Sequence, residues 1–116
     1  MNKKQPGNTS SVLKFVDEYV DSFISWDILL FFRHNPAAIE TAKSLSGRLG
    51  RRQEDTKFGL TFLCEKGVLR TEDNKTYEFK PGDQLEMQIT AFSDALAHRD
   101  TRMKILSKVL SKGKVR

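Results

Sequence analysis

Residues 36–80 read PAAIETAKSLSGRLGRRQEDTKFGLTFLCEKGVLRTEDNKTYEFK, and this stretch decides the fold. Ile39, Ala42, Leu45 and Leu49 recur at the three-to-four spacing of one helix face. Gly47 and Gly50 punctuate its end, and Arg51-Arg52-Gln53 lead into a second helix with Thr56, Leu60 and Leu63 pointing inward. That helix is expected to stop at Gly67, because glycine takes the left-handed conformation at a helix C-terminus without steric cost. Val68-Leu69-Arg70-Thr71 reads as a strand, Glu72-Asp73-Asn74-Lys75 as a turn, and Thr76-Tyr77-Glu78-Phe79 alternates as the returning strand. Pro81-Gly82 then breaks the chain.

Upstream, Val12, Phe15, Val16, Tyr19, Val20 and Phe23 lie at helical spacing, giving an N-terminal helix over about 11–23. It runs on into Trp26, Ile28, Leu29, Leu30, Phe31 and Phe32, and Asn35-Pro36 ends the run. A helix apolar on most of its circumference belongs at the centre of the core or against a second subunit. Downstream, Asp83 with Glu86 three residues later reads as an N-cap and capping-box pair. Leu85, Ile89, Phe92 and Leu96 form the next stripe, and Met103, Leu106 and Leu110 resume it. The polar run His98-Arg99-Asp100-Thr101 predicts a break or kink between the two stripes, with Asp100 able to cap the restart. Residues 1–9 read as a disordered lead-in, and 10–116 as one domain.

The chain has 116 residues, 38% hydrophobic and 30% charged, a globular mixture of a size for one modest core. The apolar run from Phe23 to Phe32 is far short of the about 20 residues that cross a bilayer, so no membrane role is expected. No apolar stretch follows the first lysines, and the single cysteine, Cys64, provides neither a disulfide framework nor a CxxC metal site. A cytoplasmic, reduced protein is expected. The net charge is +5, but it is unevenly placed. Between Ser10 and His98, 11 basic residues meet 14 acidic ones, a net −3, and the rest of the chain carries +8. Cationic side chains release counterions from phosphates, yet most of this excess sits in the tails, where a solvated charged face explains it equally.

Ile39-x-x-Ala42-x-x-Leu45-x-x-x-Leu49-Gly50, then Thr56-x-x-x-Leu60-x-x-Leu63-x-x-x-Gly67-Val68-Leu69, then a hairpin closed by Tyr77, resembles the winged helix-turn-helix of bacterial regulators, the MarR- and ArsR-like group in a broad sense. The resemblance implies a mainly α fold with a two-stranded β wing and extra N- and C-terminal helices. The helix-turn-helix would span about 37–67, the wing about 68–80, and the C-terminal helices about 83–112. The helix from about Gln53 to Lys66 would be the recognition helix, its apolar side wedged inward and its other face free for a groove. Glu54, Asp55, Lys57, Phe58 and Thr61 would face that groove. Arg48, Arg51, Arg52 and Lys57 would contact phosphate or bases, Gln53 and Thr61 would read bases, and the wing would offer Arg70 and Lys75. The implied function is a transcriptional regulator that binds double-stranded DNA as a homodimer through its terminal helices.

Glu54, Asp55, Glu72 and Asp73 reduce the surplus of basic over acidic residues at these positions to +2. Acidic side chains can accept from cytosine N4, or they can simply stabilise a helix N-terminus. Phe58 and Phe62 lie off the Thr56/Leu60/Leu63 face; Phe62 is expected in the core, and the two exposed together would make a patch for a protein partner. That alternative, a winged-helix interaction module that does not bind DNA, stands beside the regulator. His34, His98 and Cys64 form no ligand-spaced cluster, and no GxGxxG or GxxxxGK[ST] pattern occurs, so neither an enzyme, a metal nor a cofactor is expected.

Overall fold

The computed structural model describes residues 9–114. In chain order the elements are α1 (Thr9–Tyr19), α2 (Phe23–His34), β1 (Ile39–Thr41), α3 (Ala42–Leu49), α4 (Gln53–Glu65), β2 (Leu69–Arg70), β3 (Thr76–Phe79), α5 (Asp83–Ala95) and α6 (Arg99–Lys114). Of the lead-in expected over residues 1–9, residues 1–8 lie outside the described residues, and Thr9 already begins α1.

The N-terminal helix expected over about 11–23 ends at Tyr19, and the strongly apolar helix that follows it starts separately at Phe23. Ser22 caps α2 by accepting from the Ser25 backbone N–H, and the buried Ser25 hydroxyl accepts from the Ser22 N–H in return. This is a capping box with serine at both positions, a weaker signal than the usual Glu or Gln partner. Lys112 of α6 ties down the C-terminal end of α1, its Nζ donating to Val16 O, Asp17 O and Val20 O at 2.7, 3.0 and 2.7 Å. Burial pushes the Lys112 ammonium below the usual lysine range, against the pull of Asp17 and Asp21. Lys108 adds an ion pair to Asp17 at 2.9 Å. Part of the basic C-terminal charge thus fastens α6 to α1.

A second difference is the sheet. Instead of two strands there are three among the described residues, antiparallel, in the order β1-β3-β2, with Ile39 opposite Glu78, Thr41 opposite Thr76 and Leu69 opposite Phe79. Ile39, expected as the first apolar position of a helix, lies in β1 and is 64% exposed. Helix α3 begins only at Ala42 because Thr41 and Ser44 form a capping box there. Glu40 turns inward between them, and its buried carboxylate accepts from Arg48 Nε at 3.0 Å and Ser44 Oγ at 2.6 Å. Gly50 ends α3 at a φ of 67°, the left-handed region that glycine adopts freely.

The break expected near Asp100 is present, with α5 ending at Ala95 and α6 starting at Arg99. Gly82, rather than Asp83, is the N-cap of α5; Asp83 and Glu86 sit in its first turn, where negative charge suits the helix dipole. The stripe expected on α6 is displaced. Ile105 and Val109 are buried, while Met103 and Leu110 are 53% and 54% exposed. The turn between the helices resets which face meets α1, so the stripe of α5 does not continue into α6. Val12, Phe15 and Val16 of α1 are buried in the same core as Ile89 and Phe92, so the apolar face of α1 is covered within the chain.

Helices α2 and α4 make the most extensive helix–helix contact. Leu60 and Leu63 are fully buried there with Ile28 and Leu29. Gly59 permits the approach, since a Cβ at that position would stand 2.6 Å from Ile28 Cδ1 and 2.9 Å from Ile24 Cγ2. Gly59→Val is therefore expected to lower the unfolding free energy by about 1–3 kcal/mol. Thr61→Val, on the exposed side of the same helix, is expected to change it by less than about 0.5 kcal/mol. Urea denaturation of both variants checks this, and equal stability of the two would contradict the packing described.

Candidate nucleic-acid interface

With Thr56, Gly59, Leu60 and Leu63 turned inward, α4 presents Gln53, Glu54, Lys57, Phe58 and Thr61 to solvent. Its N-cap, Arg52, makes no side-chain capping bond, and Glu54 and Asp55 sit in the first turn, where negative charge suits the helix dipole. Phe58 is 76% exposed, whereas Phe62 packs partly against the core as expected.

The arginines expected to clasp phosphate each have an acidic partner within the chain. Arg51 Nε and Nη2 both donate to Asp27 Oδ2 at 2.9 and 2.6 Å, tying the turn before α4 to α2. Arg48 pairs with the buried Glu40 at 3.0 Å. Arg52 meets Glu54 at 3.4 Å and Arg70 meets Glu72 at 3.2 Å, both pairs largely exposed. Exposed pairs of this kind contribute roughly 0–1 kcal/mol and exchange readily for another anion, whereas the pairs that hold β1 and the turn are part of the framework.

Lys57 also has a structural job. Its Nζ donates to Tyr77 Oη at 2.6 Å and Asn74 O at 2.8 Å, latching the β2–β3 turn against α4. The turn itself is shaped by Asp73, whose Oδ1 accepts from the backbone N–H groups of Lys75 and Thr76 at 2.9 Å each. Asn74 takes a φ of 59°, a conformation asparagine tolerates better than most residues. Two of the four acids that weigh against a polyanion partner, Glu54 and Glu72, thus neutralise an arginine, and Asp73 builds a turn.

Gln53, Lys57 and Lys75 come together with Phe58 in an open groove of about 1030 Å³ between α4, the start of α3 and the β2–β3 turn. Lys43 and Asn74 also line it, and neither was legible as a site residue in the sequence. The Thr41-x-x-Ser44 capping box is the signal that would have put Lys43 in the first turn of α3, beside the groove. Glu54 is the one carboxylate lining the groove, against three lysines. Lys43 and Lys75 stand outside the ion pairs among the described residues. Arg48, Arg51, Arg52 and Arg70 do not line the groove; Arg70 opens on the other side of the sheet with Ile39 and Glu78. Thr61 is exposed one turn further along α4.

Cys64 is half-buried, and burial raises its thiol above the usual range, so little thiolate forms at neutral pH. Among the described residues no three His, Cys, Asp or Glu side chains gather as a metal site, and no helix is long and apolar enough to cross a membrane. Compared with known proteins, the chain matches no family model, no curated protein and no solved structure.

The Asp73 carboxyl is held below the usual aspartate range, first by the Thr76 N–H and next by the Lys75 N–H. A carboxylate whose folded-state pKa is depressed contributes stability that is present above its unfolded value and lost as pH falls through the folded one. In an acid titration followed by NMR, the amide signals of Lys75 and Thr76 are expected to shift together, with a midpoint below that of an unstructured aspartate. Asp73→Asn should remove the step; a midpoint at the ordinary value would contradict the turn geometry.

Proposed function

We propose that this chain is a winged-helix DNA-binding protein, a cytoplasmic transcriptional regulator that acts as a homodimer, with α4 as its recognition helix and the β2–β3 hairpin as its wing. The order α2, β1, α3, α4, β2, β3, with a tight turn between α3 and α4, supports the fold assignment. The observation that carries the function is the groove beside α4, where Lys43, Lys57 and Lys75 converge around an exposed helix face with a single carboxylate. Lysine ammonium groups beside an exposed helix face suit the phosphates flanking a major groove, and Gln53 and Thr61 supply hydrogen-bonding groups for base edges. Arg52, released from its exposed pair with Glu54, adds a further phosphate contact, whereas Arg70 opens on the other side of the sheet. Arg48 and Arg51 act mainly by holding β1 and the turn in place, which is a positioning role.

Dimerisation is supported by Met87, Met103 and Leu110, which α5 and α6 leave exposed after the face of α1 is covered. The DNA reading requires a two-fold pair to set its two α4 helices about 34 Å apart, one turn of duplex.

A second reading, an interaction module that seats a protein in the same groove, is favoured by one specific observation, the pairing of all four interface arginines within the chain. A duplex-DNA titration over a range of salt separates the two. The DNA reading predicts binding at low salt whose log binding constant falls linearly with log salt, and Lys43→Ala or Lys75→Ala should each flatten that slope by about 1. Absence of affinity even at low salt, together with a stoichiometric protein partner, would establish the second reading instead.

A further inference from the structure

Phe58 is the residue that the electrostatic account leaves unused. It is a large apolar ring, 76% exposed, on the outer face of α4 and within the lysine-lined groove. A single exposed aromatic is unremarkable by itself. This one is set among three cations and two side-chain amides, Gln53 and Asn74. The Lys57 latch to Tyr77 and Asn74 holds the hairpin beside it, so the exposed ring borders an open groove with the hairpin turn along one side.

A phenyl ring offers no hydrogen bond, so it distinguishes a base edge only by apolar contact. In the major groove of a duplex the apolar group on a base edge is the C5-methyl of thymine. The neighbouring Gln53 amide has the donor and acceptor that match adenine N6 and N7. We infer that Phe58 and Gln53 make this groove selective for A·T pairs in duplex DNA, with Phe58 packing on the thymine methyl and the lysines supplying affinity that does not depend on sequence. The inference rests on the DNA-binding reading and adds to it a specificity-determining residue and the base it selects.

The test uses the full chain and two short duplexes, alternating dA–dT and alternating dA–dU, which differ only in the thymine methyl. Binding is followed by fluorescence anisotropy at low salt. The wild-type protein is expected to prefer the dA–dT duplex by about fourfold for each methyl buried. Phe58→Ala should bind both duplexes equally, at the wild-type dA–dU level, whereas Lys43→Ala should weaken both in the same proportion and keep the preference. Equal wild-type affinity for the two duplexes overturns the inference and leaves DNA binding intact. Tighter binding to an unpaired dT strand than to either duplex also overturns it, because the ring would then be stacking on a base face. Failure to bind any of these overturns the DNA-binding reading itself.

Discussion

The close approach of α2 to α4 at Gly59 sets the direction in which every other α4 side chain points. Helix α4 buries one face, Thr56, Gly59, Leu60 and Leu63, and the absence of a Cβ at Gly59 lets Ile24 and Ile28 settle directly on its backbone. Leu60 and Leu63 complete that contact from within the core. Arg51 adds a polar tie from the preceding turn to Asp27 on α2. Once the inner face is fixed, Gln53, Lys57, Phe58 and Thr61 have no choice but the outer one. The groove follows when the Lys57 latch draws the β2–β3 turn up to that face.

Charge in this molecule is organised by local cancellation. Each arginine near α4 stands beside a carboxylate, and the lysines carry the unbalanced charge. Lysine holds its charge as a compact, flexible point and does not need the planar fork that arginine uses. The basic C-terminal segment belongs to the same economy. Lys108 and Lys112 are spent on the end of α1, so the net charge of the chain overstates what is free for a polyanion.

The hydrophobic spacing of residues 42–79 made the two central helices and the hairpin legible, and Leu45, Leu60, Leu63, Tyr77 and Phe79 are buried where that spacing puts them. What escaped it were features that spacing does not encode. Ser22 and Ser25 interrupt an apolar run whose periodicity continues across the break, and Thr41 with Ser44 starts α3 later than Ile39 suggests. Three residues are enough for β1 only because β3 lies alongside, a non-local partner that no local window contains. The α6 stripe failed for a related reason, since the angle at the turn before Arg99 decides which side meets α1. At the site, Gln53, Lys57 and Lys75 were legible, whereas the partners of the arginines were not. Asp27 is 24 residues from Arg51, and Glu40 sat on a strand unread as such.

On the proposed function, the outer face of α4 and the groove beside it are where this protein meets duplex DNA. The most direct measurement is an NMR titration of the labelled chain with duplex DNA, following every backbone amide. Perturbations are expected to concentrate at Lys43, Gln53, Lys57, Phe58, Thr61 and Lys75, with α5 and α6 changing only where a second copy touches them. Perturbations absent from α4 and confined to α5 or α6, or none at saturating DNA, would contradict it.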